Sequence, residues 1–73
     1  MTRDEHLEWC KQRAREYLAR GDVPNAITSM LSDLGKHEEL RAVADNPHLA
    51  MFGMMTAANH DIEGARRFVE GFR

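Results

Sequence analysis

The sequence has few of the residues that cross-link, anchor or loosen a small protein. Its single cysteine, Cys10, has no partner for an internal disulfide, and one free thiol is typical of a reducing compartment. Two prolines and five scattered glycines form neither a flexible linker nor a glycine-rich phosphate loop. No apolar run approaches the roughly 20 residues of a transmembrane helix, and no signal-peptide pattern opens the chain. These absences predict a cytoplasmic protein without membrane contact.

An excess of positive charge is also missing. Ten basic residues against twelve acidic residues give a formal net charge of −2, which disfavours a dedicated nucleic-acid-binding protein. Of the 73 residues, 42% are hydrophobic and 30% are charged, which is the composition of a folded domain and not of a disordered tail. We therefore expect a single small domain, residues 1–73, with a core too small for a wide margin of stability.

Helical spacing of apolar residues is what the chain does have, and no alternating β-pattern occurs. Asp22 and Asp61 are typical N-caps, Gly21 and Gly35 are typical helix ends, and Pro47 follows a clear break. Helices are predicted at about 3–20, 23–34, 37–44, 48–59 and 62–72. The predicted fold is all-α, a compact bundle of four to five short helices.

The fourth predicted helix, 48–59, is apolar on almost every side. A soluble helix of this kind has to be buried on most sides, unless one side is reserved for another molecule. Met51, Met54 and Met55 are spaced around the helix in a way that one small monomer cannot cover completely. Because methionine is flexible and adapts to irregular surfaces, we predict that these residues bind a partner protein or a second copy of the chain.

Trp9 is the other candidate for protein binding. At 100° per residue it lies about 140° from the centre of the apolar stripe of the first helix, among charged side chains. Tryptophan is enriched at interface hot spots, so this position is consistent with an anchor for a partner. Local packing, under the C-terminal Gly71 and Phe72 or against the third helix, is the slightly favoured alternative. Both interpretations stay open.

One pattern occurs twice along the chain. Residues 21–26 and 60–65 both consist of a small or polar residue, aspartate, a β-branched residue, two variable residues and alanine. The same offset pairs further residues of the two copies: Ala14 with Gly53, Tyr17 with Thr56, Ala26 with Ala65, and Met30 with Val69. Each copy resembles a tetratricopeptide-repeat (TPR) hairpin, although Thr56 stands where that family has an aromatic and the copies are further apart. The resemblance implies two TPR-like helical hairpins, about 3–35 and 48–72, joined by the short helix at about 37–44.

Three stretches also resemble a family of small proteins encoded by tailed bacteriophages, notably those of actinobacterial hosts. They are residues 6–11, 29–37 and 68–72. The similarity lies in the order of these stretches and the length of the chain, and it includes no catalytic signature. It implies a phage or prophage origin and expression in the cytoplasm of a bacterial host, and it assigns no functional residues.

No group of residues predicts a catalytic, metal or cofactor site. His6 and Cys10 stand four residues apart, but structural zinc needs four ligands and no other histidine has a companion at ligand spacing. Helix capping explains both Asp22 and Asp61. The basic residues near the two ends of the chain are diluted by acidic neighbours, which is typical of solvated helix faces. We therefore predict a non-enzymatic protein without a cofactor.

The predicted function is protein–protein interaction with a host or phage protein, as in a host-directed inhibitor or regulator. The first alternative is a structural or assembly accessory of the virion, which would associate with itself as a homodimer or larger assembly. The second alternative is a nucleic-acid-binding regulator, which the net charge disfavours.

Overall fold

The computed structural model describes residues 2–73, which form five α-helices and no strands. Helix α1 spans Arg3–Ala19, α2 spans Val23–Leu34, α3 spans Glu38–Ala44, α4 spans Pro47–Ala58 and α5 spans Ile62–Glu70. The predicted all-α bundle of four to five short helices is confirmed. None of the described helices has both the length and the apolar character that crossing a membrane requires.

The helices begin where polar side chains satisfy free backbone N–H groups. The Thr2 hydroxyl accepts a hydrogen bond from the N–H of Glu5 at 3.1 Å, and the N–H of Thr2 donates to the Glu5 carboxylate at 3.0 Å. Asp22 and Asp61 cap α2 and α5 by accepting from the N–H three residues further on, at 3.3 and 2.9 Å. Each such cap stabilises its helix by about 1 kcal/mol. The two aspartate caps are those expected from the sequence, whereas the capping box at Thr2 was not predicted.

The turn before each aspartate cap contains a residue in the left-handed region. Gly21 has a φ of 74° and His60 a φ of 50°. Glycine adopts this conformation without steric cost, whereas a residue with a Cβ atom is strained there by about 1–2 kcal/mol. The two turns therefore share a backbone conformation, and only the first has the residue that suits it.

Helix α2 lies at the centre of the bundle and contacts each of the other four helices. The core consists of the following buried apolar side chains: Leu7, Cys10, Ala14, Leu18, Val23, Ala26, Ile27, Met30, Leu34, Leu40, Ala65, Phe68, Val69 and Phe72. Helix α5 ends at Glu70, two residues before the predicted end, and Gly71 forms its C-cap. Phe72 is buried all the same, because its ring meets that of Phe68 edge-on at a centroid distance of 5.1 Å.

Small residues are buried in both hairpins. Ala14, Ala26 and Ala65 are fully buried. Gly53 faces α2, and a Cβ atom on it would lie 2.8 Å from Cγ2 of Ile27, which is closer than real Cβ contacts allow. Both hairpins thus bury small side chains between helices, as the pairing of Ala14 with Gly53 requires. The resemblance to TPR hairpins as a family stays a prediction.

Candidate protein-binding surface

Helix α4 leaves most of its large side chains in solvent. Met51, Phe52, Met54 and Met55 are 61, 51, 69 and 60% exposed. Of the twelve residues of α4, only one glycine and one threonine are buried. A covered, central position for α4 is therefore wrong, and the alternative that one side of this helix stays exposed is the one observed. Its physical reason is that α4 lies on the outside of the bundle and packs through one side only.

The three predicted methionines share one side of α4. At 100° per residue, Met51, Met54 and Met55 lie within an arc of about 100°. Gly53 lies on the opposite side, at the contact with α2. The prediction that the methionines spread around the helix is therefore wrong, and the exposed surface is continuous instead. We call Met51, Met54 and Met55 the methionine face.

A groove of about 490 Å³ lies between α4, α5 and α3, with Leu7 of α1 also in its lining, next to the methionine face. We call it the α4–α5 groove. Phe52 stacks on Phe68 with ring centroids 5.9 Å apart, and these rings line the groove together with Phe72, Leu40 and Leu49. Its volume falls within the range of protein clefts that hold ligands. The groove therefore offers an ordered apolar surface beside the more flexible methionines.

The charged side chains that line the α4–α5 groove, Arg67 and Arg73, are both cationic. Nε of Arg67 donates to the carbonyl oxygen of Glu63 at 3.4 Å. The carboxylate of Glu63 pairs instead with Arg66, at 2.6 Å. Within residues 2–73, no carboxylate side chain forms an ion pair with Arg67 or Arg73. The groove thus combines an apolar lining with positive charge that the described side chains do not neutralise.

A second depression, of about 340 Å³, continues along α4 beyond Phe52 and Arg67, which line both depressions. Met55 and Asp61 also line it. The carboxylate of Asp61 already accepts the hydrogen bond that caps α5. The groove, the second depression and the methionine face therefore form one surface that runs along α4, with Arg67 near its middle.

Trp9 lies on another part of the molecule. Its half-buried ring is 5.3 Å from the ring of His6, with the guanidinium carbon of Arg13 at 5.0 Å and Nζ of Lys36 at 5.6 Å from its centroid. Contacts of this kind between a cation and an indole are favourable. Trp9 lines neither depression along α4, so the structure does not bring it together with the methionine face. These contacts favour packing at the end of α2, and the anchor role of Trp9 stays a prediction.

Asp33 was not among the residues predicted from the sequence, although it is almost completely buried. Its carboxylate pairs with Nε of Arg13 at 3.0 Å and Nζ of Lys36 at 3.1 Å, and it accepts from the Ser29 hydroxyl at 3.2 Å. Its carbonyl oxygen accepts from Nε2 of His6 at 2.7 Å. Because its polar atoms have partners, Asp33 fixes α1 against α2 and leaves nothing free for a substrate.

Cys10 and His6 are both buried. Cys10 is fully buried, and this burial, reinforced by the charge of Asp33, raises the pKa of Cys10 to about 11. The thiol is therefore protonated at neutral pH and is a poor nucleophile. His6 uses Nε2 for the carbonyl oxygen of Asp33. Packing explains both residues.

The predicted basic clusters are paired with acidic side chains. Arg15 donates to the Glu70 carboxylate through two nitrogens, at 2.6 and 3.2 Å, and to Glu8 at 2.7 Å. The hydrogen bonds from Arg15 hold the pKa of Glu70 below its ordinary value. Arg66 pairs with Glu63 at 2.6 Å. Arg15 and Arg66 are therefore engaged within the chain, whereas Arg67 and Arg73 form no ion pair with a carboxylate side chain of residues 2–73.

Phe52, Leu49 and Arg67 belong to the surface but were not singled out from the sequence as site residues. A signal for Phe52 was present, because the match of Gly53 with Ala14 fixes the inner side of α4 and places Phe52 at its border. Arg67 was considered only as part of the basic cluster near the C-terminus, for which acidic neighbours favoured a solvated helix face. Its role depends on the angle at which α5 crosses α4, which residue spacing does not define.

No protein family, curated protein or solved structure matches this chain. The interpretation of its surfaces therefore depends on the residues described above.

Proposed function

We propose that this protein is non-enzymatic and acts by binding another protein through the methionine face and the α4–α5 groove. The observation that supports this function is the exposure of four large apolar side chains on one helix without a charged residue. Folded monomers rarely expose large contiguous apolar patches unless the patch binds something. Methionine is well suited to such a patch, because its unbranched side chain adapts to the shape of a partner.

Covering this surface supplies a substantial binding free energy. Complete removal of one large apolar side chain from water is worth about 1.5–3 kcal/mol, and all four side chains are more than half exposed. Part of that gain offsets the loss of side-chain freedom, at about 0.5–1.5 kcal/mol for each ordered side chain. The loss of translational and rotational freedom on association offsets more of it, so the apolar lining of the α4–α5 groove has to contribute to a stable complex.

The resemblance to phage proteins supports a bacterial setting, so we propose a host-directed inhibitor or regulator that acts in the host cytoplasm. A virion accessory protein is the second candidate, because an uncharged helix face can also meet its own copy without like-charge repulsion. Nucleic-acid binding is less favoured, since Arg15 and Arg66 are paired with carboxylates.

The test is site-specific photo-crosslinking in bacterial cells that express the chain. Benzoylphenylalanine at position 54 places the reactive group in the methionine face. At position 12 it replaces the exposed Gln12 of α1, a residue that lines neither depression along α4. We expect one predominant adduct from position 54 and none from position 12 at equal expression. Met51→Glu in the position-54 chain should abolish that adduct without changing thermal unfolding, because Met51 is exposed.

The mass of the adduct separates the two candidate functions. A heterologous partner supports the inhibitor or regulator, and an adduct of twice the chain mass supports self-assembly. The same adducts from positions 54 and 12, or none from position 54, would contradict binding through this surface.

A further inference from the structure

We infer that the surface along α4 binds one face of an acidic amphipathic α-helix from another protein. This inference rests on the proposed function and specifies the chemistry of the partner. It follows from the shape of the surface, the sign of its charge and the composition of the chain's own helices.

The shape of the surface fits a helix. A partner helix inserts apolar side chains at positions i, i+3 or i+4, and i+7 into a groove of this kind. The groove and the second depression give two such insertion sites on either side of Phe52. Helix α4 has twelve residues, so it provides a wall of about 18 Å, the length of three to four turns of a partner.

The positive charge of the surface favours a partner with negative charge. Helix α4 has no charged side chain, and Arg67 lines both depressions, whereas Asp61, whose carboxylate caps α5, lines only the second. The net positive charge is therefore found at the α4–α5 groove, where Arg67 and Arg73 are the charged lining residues. Within residues 2–73, Arg67 forms no ion pair with a carboxylate side chain. An arginine binds a carboxylate through two parallel hydrogen bonds, and the apolar surroundings strengthen the pair. A partner helix with Asp or Glu beside its apolar face satisfies this geometry.

A second copy of the chain does not offer both an exposed apolar helix face and a carboxylate beside that face. Among residues 2–73, α4 is the only helix that exposes more than one large apolar side chain, and it has no carboxylate. The exposed Ile62 of α5 stands alone. A small lipid anion meets the charge requirement, but it would fill the groove and leave the methionine face in water. The acidic helix covers both parts of the surface.

The test begins with a displayed library of helical peptides of about 14 residues, selected against the full chain at about 0.15 M salt. We expect the selected peptides to have apolar residues at helical spacing and Asp or Glu next to them. Fluorescence anisotropy with a synthetic selected peptide then measures affinity. Arg67→Glu should weaken binding by at least about tenfold, and a peptide with Lys in place of its acidic residues should recover affinity for this variant.

The neighbouring Arg66→Glu is the matched control. It makes the same change of charge on an exposed residue of α5 that does not line the groove, so it should alter affinity by no more than about twofold. Met54→Glu, at the most exposed methionine, provides a second variant that should weaken binding by at least about tenfold without unfolding the chain. Circular dichroism of each variant confirms that the helices are intact.

Three results would overturn the inference. Selected peptides without an acidic bias, or peptides that bind wild type and Arg67→Glu equally well, would show that charge does not select the partner. If Met54→Glu still weakened binding of these peptides, the proposed function would stand. Saturable binding of a fluorescent fatty acid that Arg67→Glu abolishes and peptides do not displace would assign the groove to a lipid. If the library yielded no binding peptide, the inference would also be overturned. If, in addition, position 54 gave no crosslinked adduct in cells, the proposed function would be overturned too.

Discussion

The hairpins α1–α2 and α4–α5 have the same local features but treat their apolar surfaces differently. Both have an aspartate cap, a left-handed turn residue and small side chains between their helices. In the first hairpin Met30 is fully buried, whereas in the second hairpin Met54 is the most exposed methionine of α4. Closing a hairpin of this geometry therefore does not require exposed methionines. The methionine face is therefore free for a contact outside the hairpin, as the proposed function requires.

The largest effect is expected from the same substitution made in both hairpins. Met30→Ala should lower the free energy of unfolding by about 2–5 kcal/mol, because it leaves a cavity among core side chains. Met54→Ala should change it by no more than about 0.5 kcal/mol, because Met54 is mostly in solvent. Urea unfolding followed by circular dichroism measures both. Equal losses would place Met54 in the core and remove the contrast between the hairpins.

A smaller effect is expected where the two hairpins are alike. Ala26→Leu and Ala65→Leu should each cost about 1–3 kcal/mol, because both alanines are fully buried between helices and the added atoms overpack the contact. Ala42→Leu on the exposed side of α3 is the control, with an expected change below about 0.5 kcal/mol. Melting temperatures compare the three variants. A loss at Ala26 without one at Ala65 would contradict the equivalence of the hairpins.

These local features explain how much of the fold the sequence could predict. Asp22, Asp61 and Gly21 act on neighbouring residues, so the helix boundaries could be predicted to within a few residues. The apolar stripes of α1, α2 and α5 predicted their buried sides, because those stripes are bordered by polar residues. Helix α4 has no such border, so its composition could not distinguish a central helix from an outer one.

The candidate surface was predictable only in part for the same reason. The methionines could be selected from composition, and Gly53 could have fixed which side of α4 faces inwards. The α4–α5 groove depends on how α5 and the C-terminal Phe72 meet α4, which is a tertiary property. The buried Asp33 is similar, because its partners Arg13 and His6 lie on another helix. Spacing along one helix contains no information about such contacts.

Trp9 and Phe52 should differ in their contributions to stability and to partner binding. Trp9→Ala should cost about 1–2 kcal/mol, because the half-buried indole loses its contacts with His6, Arg13 and Lys36. Phe52→Ala should cost less than about 1 kcal/mol of stability, yet reduce the crosslinked adduct from position 54. Urea unfolding and adduct yield separate the two roles. Unchanged stability with loss of the adduct in Trp9→Ala would instead assign Trp9 to the partner interface.

Substitutions of the left-handed turn residues should change stability in opposite directions in the two hairpins. His60→Gly should stabilise the protein by up to about 1 kcal/mol, because glycine removes the strain of a Cβ atom at a φ of 50°. Gly21→Ala should destabilise it by about 1 kcal/mol, since it introduces that strain at a φ of 74° in a turn with open space around it. Differential scanning calorimetry detects both shifts. Changes of the same sign would show that the two turns are not equivalent.

The smallest effect concerns the ion pair that joins the hairpins, Arg15 of α1 with Glu70 of α5. Hydrogen bonds from Arg15 lower the pKa of Glu70 in the folded state below the ordinary value of 4.5. The folded protein therefore favours the charged carboxylate. The resulting stability is present above the unfolded pKa and is lost as the pH falls through the lowered folded pKa. Because both side chains are more than a third exposed, the contribution should stay below about 1 kcal/mol.

Glu70→Gln tests this dependence in a pH series of urea unfolding curves. The variant should be less stable than wild type at pH 7, and the difference should shrink below about pH 4.5, where the carboxylate of the unfolded chain gains a proton. Salt should reduce the difference at pH 7. Glu16→Gln is the control, because Glu16 is exposed and forms no ion pair within residues 2–73. A difference for Glu70→Gln that is constant between pH 7 and pH 3 would show that the side chain joins the hairpins through its shape and not through its charge.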